Sequence, residues 1–173
     1  MIRCCVKPGV IMKSTVLCVA AIAFSGTLSL PASAQLIERK EISYAVAKTI
    51  AEQALEDCKA KGYAVSAVVV DRGGNTVVAL RGDNAGAHTM ENARRKAYTA
   101  MTFKMTTQEF IKEMATRPVR REQTTLPNVI AIDGGVPVKV GNDVIAGVGL
   151  SGSPGVDEVC VMAGIDKVKD QLR

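Results

Sequence analysis

The stretch 42–60 has its apolar residues three or four positions apart, with charged side chains between them. This spacing places the apolar side chains on one face and predicts a long amphipathic helix. Gly62 follows, and glycine commonly ends a helix. The next stretch, 64–71, is a β-branched run whose apolar residues barely alternate, as in a strand covered on both faces. We therefore expect this strand to lie in the centre of its sheet.

A first hairpin and two more helices are predicted next. Glycines in the turn 72–75 supply the positive φ angles of a tight hairpin, and 76–80 is predicted to be the returning strand. Residues 83–87 are predicted to form a loop, after which Thr89 can cap a second amphipathic helix. A shorter helix is predicted over 108–115.

The C-terminal third is predicted to contain a loop, a strand meander and a last helix. Residues 117–128 hold two prolines and no periodic pattern, which is typical of a surface loop. Ser153 as cap and Pro154 at the first helical position predict a helix that runs to Leu172. Short apolar stretches between glycine-containing turns predict strands over 129–132, 136–140 and 144–150. In chain order these elements predict an α/β (α+β) domain with a five-stranded antiparallel sheet and helices on both faces.

Residues 1–34 have the composition of a secretory signal peptide. An apolar run over 16–30 is followed by a small-residue cleavage site at 32–34. A membrane anchor is the alternative, but this run is shorter than the roughly 20 apolar residues that a spanning helix needs. We therefore expect a signal peptide at 1–34, a mature domain at 35–173 without stable membrane insertion, and a periplasmic or secreted location. The basic residues that precede the apolar run are Arg3, Lys7 and Lys13.

Removal of this segment changes the charge of the protein. The whole chain has 22 basic and 17 acidic residues, and loss of the three basic residues of the signal leaves 19 against 17, a net charge of about +2. A charge this small attracts phosphate polymers weakly. Three Phe, three Tyr and no Trp offer few platforms on which bases could stack. Nucleic acid is therefore not an expected partner.

Two cysteines remain in the mature part, Cys58 and Cys160. In an oxidising compartment they could form a disulfide. The alternative is two separate buried thiols, since free cysteine is among the most buried residue types. Neither thiol lies in a C-x-x-C motif, so the cysteines do not indicate a redox pair or a zinc site.

The most specific stretch of the sequence is 86–100, GAHTMENARRKAYTA, read together with VDRGGN at 70–75 and GVGLSGSPGVDE at 147–158. These segments resemble the GlcG/HbpS-like family, in register from about Ile42 to Leu172. The resemblance implies a profilin-like, three-layer α/β/α domain. It also implies a homo-oligomer that binds haem or a related tetrapyrrole and that, in some members, degrades it.

The sequence offers candidates for a haem site beside that resemblance. His88 is the only histidine of the chain and precedes the second helix, so it is a candidate iron ligand. The alternative is a solvated loop residue. The cations Arg94, Arg95 and Lys96 could bind propionates. Neighbours on a helix lie about 100° apart, so at least one of these cations must point inward, where Asp71 or Glu91 could pair with it.

Tyr98 and Thr99 complete the candidate ligand-binding set. Tyr98 lies four residues after Arg94 and Thr99 four after Arg95, so each pair shares a helix face. The resemblance implies that Thr99 is a second candidate ligand of the iron. The alternatives are that Tyr98 packs against the domain and that the Thr99 hydroxyl bonds a helix carbonyl.

Two weaker sites are also conceivable. Residues 151–155 lead into a helix N-terminus and could hold an anion, although a plain turn explains them equally well. Glu52 and Glu56 lie four residues apart and could bind iron, although an exposed helix face explains them too. The sequence lacks the motifs of a hydrolase triad, a zinc protease or a Walker loop, and we predict no catalytic residue.

The sequence therefore leaves three functions open. The first is an exported, non-catalytic protein that binds or sequesters haem. The second is an enzyme that degrades haem or acts on another small molecule. The third is an accessory oligomer without a ligand.

Overall fold

The computed structural model describes residues 36–173, so the predicted signal peptide at 1–34 lies outside the described residues. Residues Glu38–Arg173 form one compact unit. Its helices are α1 (Tyr44–Ala60), α2 (Thr89–Phe103), α3 (Thr107–Glu113), α4 (Pro118–Glu122) and α5 (Asp157–Asp166), with 3₁₀ turns at Gln123–Thr125 and Lys169–Gln171. Its strands are β1 (Ser66–Val70), β2 (Thr76–Arg81), β3 (Gly135–Val140) and β4 (Asp143–Ser151).

The four strands form one antiparallel sheet in the order β2-β1-β4-β3. Strand β1 pairs with β2 on one side and with β4 on the other, and all five of its residues are buried. The prediction that this strand is central is therefore confirmed. Two tight turns join β1 to β2 and β3 to β4, and the long connection from β2 to β3 carries α2, α3 and α4; α1 precedes β1 and α5 follows β4.

Helices cover both faces of the sheet, because side chains of a strand alternate between its faces. Val65, Ala67 and Val69 pack in one cluster with α1 and α5. Val68 and Val70 pack in a second cluster with α2. The sheet thus lies between α1 and α5 on one face and α2 on the other, in agreement with the predicted layers. The finer assignment as a profilin-like fold stays a prediction.

Two glycines of β4 allow α2 to lie directly on the sheet. A side chain at Gly149 would collide with the carbonyl oxygen of Ala93, and one at Gly147 with that of Ala97. Ala93 and Ala97 are themselves fully buried. Small residues on both surfaces therefore set the position of α2, and with it the position of every candidate ligand residue on that helix.

The predicted sheet of five strands is wrong, because 129–132 is not a strand. The side chains of α2 satisfy the backbone of this segment. The amide of Ile130 donates to the Thr99 hydroxyl at 2.9 Å, and the carbonyl of Val129 accepts from the Arg95 guanidinium at 2.6 Å. Gly134 then turns the chain with a φ of +103°, and β3 begins at Gly135.

Three other predicted elements differ from the structure. The last helix begins at Asp157 instead of Pro154, because Gly155 has a φ of +77° that a helix does not admit. The predicted loop 117–128 contains α4, which begins with Pro118 and whose Arg120 stacks over two phenylalanine rings. Helix α2 includes Thr89 as its first residue and has His88 at the N-cap.

A disulfide joins Cys58 in α1 to Cys160 in α5. The structure therefore decides between the two alternatives for these cysteines. Both residues are fully buried in the larger core cluster, and the bond closes a sequence separation of 102 residues. Within residues 36–173, no helix is both long and apolar enough to cross a membrane.

Candidate functional site

A surface recess of about 500 Å³ lies at the N-terminus of α2. His88, Asn92 and Lys96 all line it, because residues four apart share a helix face. The loop before β1 and the turns before β3 and α5 form its other walls. We call this site the His88 recess, and its wall residues include Tyr63, Ala64, Ile132, Asp133 and Pro154.

The rim of the His88 recess carries an available imidazole. His88 is exposed, and its side chain has no hydrogen bond to any residue of 36–173. It occupies the N-cap of α2 without capping it. The amide of Thr89 donates to the carbonyl of Gly86 at 3.1 Å, and no side chain of the described domain caps the amides that follow. The positive end of the helix dipole favours an anionic or acceptor group in the recess, whereas the exposed imidazole of His88 is the feature that suits a metal ion.

A buried ion pair lies at the floor of the recess. The ammonium of Lys96 donates to the carboxylate of Asp157 at 2.6 Å and to the carbonyl of Leu150 at 2.9 Å. The Lys96 and Asp157 side chains are only 1% and 3% exposed. The other carboxylate oxygen of Asp157 accepts from the amide and the hydroxyl of Ser153 at 2.9 and 2.6 Å. The pair therefore ties α2 to the start of α5.

Asp157, rather than Asp71 or Glu91, is thus the partner of the inward-pointing cation. Asp71 caps the β1–β2 turn, where its carboxylate accepts from the amides of Gly73 and Asn75 at 2.8 Å. Glu91 binds Arg94 through two hydrogen bonds of 2.8 and 2.9 Å. That hydrogen bonding lowers the pKa of Glu91 and raises the pKa of Arg94, so the pair is ionised at neutral pH.

Arg95 and Thr99 lie on a different side of α2, facing the segment before β3. The Thr99 hydroxyl donates to the carbonyl of Arg95 at 2.8 Å and accepts the amide of Ile130, and the residue is fully buried. Both bonding roles of this hydroxyl are filled within the domain. Thr99 is not among the residues that line the His88 recess.

Tyr98 packs against the β1–β2 turn, away from the recess. A side chain at Gly74 would lie 2.6 Å from a ring carbon of Tyr98, so the ring rests on this glycine. Of the six predicted ligand-binding residues, the structure brings His88 and Lys96 to one recess. It leaves Arg94, Arg95, Tyr98 and Thr99 outside the lining of that recess.

Of the two weaker candidate sites, 151–155 lies at the His88 recess and the pair Glu52 and Glu56 does not. Part of the 151–155 turn lines the His88 recess, where it forms a wall beside Asp157. Glu52 pairs with Lys48 on the exposed face of α1 at 3.5 Å. Among the described residues, no group of three or more His, Cys, Asp or Glu side chains is arranged to hold a metal ion.

Sequence reasoning missed Asp157 as a site residue. The four-residue spacing of His88, Asn92 and Lys96 was the available signal for the recess, since it predicts one shared face. The partner of Lys96 carried no such signal, because Asp157 is 61 residues further along the chain.

A second surface groove is lined by Asp57, Asp133, Glu158 and Asp166, and we call it the acidic groove. Burial raises the pKa of Glu158, and the nearby carboxylates of Glu109 and Asp133 raise it further. One carboxyl oxygen of Glu158 is buried without a hydrogen bond to the residues of 36–173. Asp133 therefore faces both the acidic groove and the His88 recess.

Comparison with known proteins decides the family. The family model described as "Haem degrading protein HbpS-like" matches residues 42–166. The chain belongs to the HbpS-like family. A double mutant of Streptomyces reticuli HbpS is 34% identical in a crystal structure with a TM-score of 0.73, which covers 81% of this chain and 97% of that one.

Two further relatives extend the comparison. An uncharacterized 15.0 kDa protein from the dhaT-dhaS intergenic region of Citrobacter freundii is 36% identical over 117 residues, which cover 64% of this chain and 80% of that one. PduOC, whose crystal structure is a haem complex, is 24% identical with a TM-score of 0.65 and covers 73% of this chain and 94% of its own. At that identity the likeness concerns the fold.

The residues of this HbpS-like chain fit a tetrapyrrole in part. The size of the His88 recess lies within the roughly 300–1,000 Å³ typical of small-molecule sites. A second recess of about 580 Å³ adjoins it, and both are lined by Tyr63, Ala64 and Asn84. The walls of the His88 recess mix polar and apolar residues. A ligand larger than one recess could therefore extend from the His88 recess into its neighbour.

Proposed function

We propose that this protein is an exported haem-binding protein in which His88 is the iron ligand. The observation that carries the proposal is the exposed imidazole of His88 on the rim of an adjoining pair of recesses in an HbpS-like domain. Imidazole is a common axial ligand of haem iron. When bound, haem would supply the iron, and the chain's part would be to hold and orient the haem through His88. PduOC supports the proposal as a haem complex of a protein with this fold.

The remaining candidates have other roles in this proposal. The Thr99 hydroxyl has both its hydrogen bonds inside the domain, so we do not assign it to the iron. Arg94 is held by Glu91 and by the side chain of Asn128 at 2.8 Å. The two filled hydrogen bonds of Thr99 favour His88 over Thr99 as the metal ligand.

Export is proposed from two independent features. Residues 1–34 have the order of a signal peptide, and the domain contains a buried disulfide. Disulfides persist in oxidising compartments and are rare in the cytosol. The intact mass of the protein recovered from a bacterial periplasmic extract tests this point. We expect a chain that begins at Gln35 and is lighter than the reduced form by two hydrogen atoms; a chain that keeps residues 1–34 would contradict export by cleavage.

Titration of the purified protein with haemin tests haem binding. We expect a saturable change in the Soret band at micromolar protein, and a lost or shifted band in His88→Ala. Asn142→Ala is the control, because Asn142 lies in the β3–β4 turn, at the end of β4 opposite to the recess. No saturable change would reject the proposed function. Saturable binding with an unaltered His88→Ala spectrum would reject only the iron ligand.

Haem degradation is a second candidate function, favoured by the description of the matching family. A degrading protein supplied with a reductant and dioxygen would bleach the Soret band, with release of iron in proportion to the haem consumed. The reaction is run with catalase present, because free peroxide bleaches haem without an enzyme. Bleaching no faster than that of free haem in the same buffer would leave a binding protein.

Self-association belongs to the same proposal. We expect a homo-oligomer in solution, on the strength of the family resemblance, and a molar mass from light scattering measures it with and without haemin. A monomer at micromolar concentration in both conditions would contradict this expectation.

A further inference from the structure

We infer that Lys96 holds a carboxylate of the ligand at the floor of the His88 recess, so that this site selects ligands with a free acid group. The inference rests on the proposed function, because it concerns how a ligand of that recess is oriented. It assigns a role to a buried cation that haem ligation by His88 does not use.

Lys96 has one N–H donor more than residues 36–173 provide acceptors for. An ammonium has three N–H donors. Within the described residues, Lys96 has two acceptors, the carboxylate of Asp157 and the carbonyl of Leu150. A buried donor without an acceptor is costly, more so on a charged group. Lys96 lines the recess, so a ligand oxygen there can accept the third N–H.

The Lys96–Asp157 ion pair is buried directly beneath the recess. Burying a charged pair costs desolvation that its own attraction repays only in part, and apolar residues of similar size are often as stable. Here the pair is almost fully buried at the base of an open recess. Asp157 is already bonded to Ser153 through its second oxygen. Lys96 is therefore the member of the pair with donor capacity left.

The N-terminus of α2 lies at the same recess as Lys96. Helix α2 has 15 residues and no side-chain cap at its N-terminus, where the dipole favours negative charge. The residues at this terminus, His88 and Thr89, line the same recess as Lys96. A carboxylate in the recess would thus be attracted by the helix end and by the ammonium.

The remaining charge in the recess opposes this attraction. Asp133 is the other acidic residue of the lining besides Asp157. Its carboxylate is expected to repel an anionic ligand. Asp133→Asn should therefore tighten binding, whereas a ligand held only by its apolar ring should be indifferent to that change.

Paired porphyrins test the inference on the unaltered protein. Binding of iron-free protoporphyrin IX and of its dimethyl ester is measured by the change in porphyrin fluorescence, which does not depend on iron ligation. We expect the free acid to bind at least about 10-fold more tightly than the ester, the effect of one charge-assisted hydrogen bond. Equal affinities of acid and ester would overturn the inference while leaving haem binding in place.

Two variants locate the effect. Lys96→Gln with Asp157→Asn replaces the ion pair by a neutral pair of similar shape, and it should bring acid and ester to equal affinity. Lys139→Gln, at an exposed position of β3, is the control and should keep the preference for the acid. Retention of that preference in a folded Lys96→Gln/Asp157→Asn protein would also overturn the inference. Binding of neither porphyrin nor haemin would reject the proposed function and the inference together.

Discussion

Removal of the Lys96 charge should destabilise the domain more than any exposed lysine substitution. Lys96→Met keeps the length of the side chain and deletes the ammonium. The carboxylate of Asp157, 3% exposed, then loses its cation and keeps only the two hydrogen bonds from Ser153. The carbonyl of Leu150 loses its donor as well.

The structure sets the size of this effect. Breaking a buried pair by removing one partner costs about 3–5 kcal/mol, because the other charge stays buried. The Ser153 bonds place Lys96→Met near the lower end of that range. For a domain of this size, about 1 kcal/mol corresponds to roughly 3–4 °C in melting temperature. We therefore expect the melting temperature to fall by about 10 °C.

Urea unfolding and thermal melts at pH 7 measure the loss, with Lys139→Met as the exposed control. Adding Asp157→Asn to Lys96→Met should restore part of the stability, because the uncompensated charge is removed. If Lys96→Met unfolds within about 1 kcal/mol of the unaltered protein, the Lys96–Asp157 pair is not the buried contact described here.

Three further predictions concern the core and the acidic groove. Gly149→Ala should cost about 1–3 kcal/mol in unfolding free energy, because the new methyl group collides with the carbonyl of Ala93; an unchanged urea midpoint would show that α2 does not lie this close. Replacing Cys58 and Cys160 by alanine should cost roughly 2–5 kcal/mol, and the unaltered protein under reductant should show a similar loss. The pKa of Glu158 is raised by burial, so stability should fall as pH rises from the ordinary pKa of 4.5 through the raised one. Glu158→Gln should remove that fall and raise the melting temperature at pH 7, and parallel pH profiles of the two proteins would contradict this account.

The local pattern of the chain was sufficient for most of its helices and strands. Apolar spacing located α1 and α2, and the continuous β-branched run identified β1 as a central strand. Such patterns show which side chains of an element are apolar, and these are the side chains that the folded domain buries. They did not distinguish a strand from an extended segment at 129–132, since a short apolar stretch between turns is compatible with both.

The functional arrangement depended on contacts that no local pattern contains. His88 and its following cations were visible in the sequence, as was the family resemblance that made haem the expected ligand. Which of these side chains share a recess was decided by the packing of α2 on the glycines of β4.

The same packing chose the partner of Lys96. Asp157 reaches this lysine because β4 and the turn after it bring the start of α5 beside α2. Composition and periodicity thus determined the elements and the candidate residues of this protein. Only the tertiary structure decided their pairing, because the free energy of a buried charge depends on what lies within a few ångströms of it rather than on its neighbours along the chain.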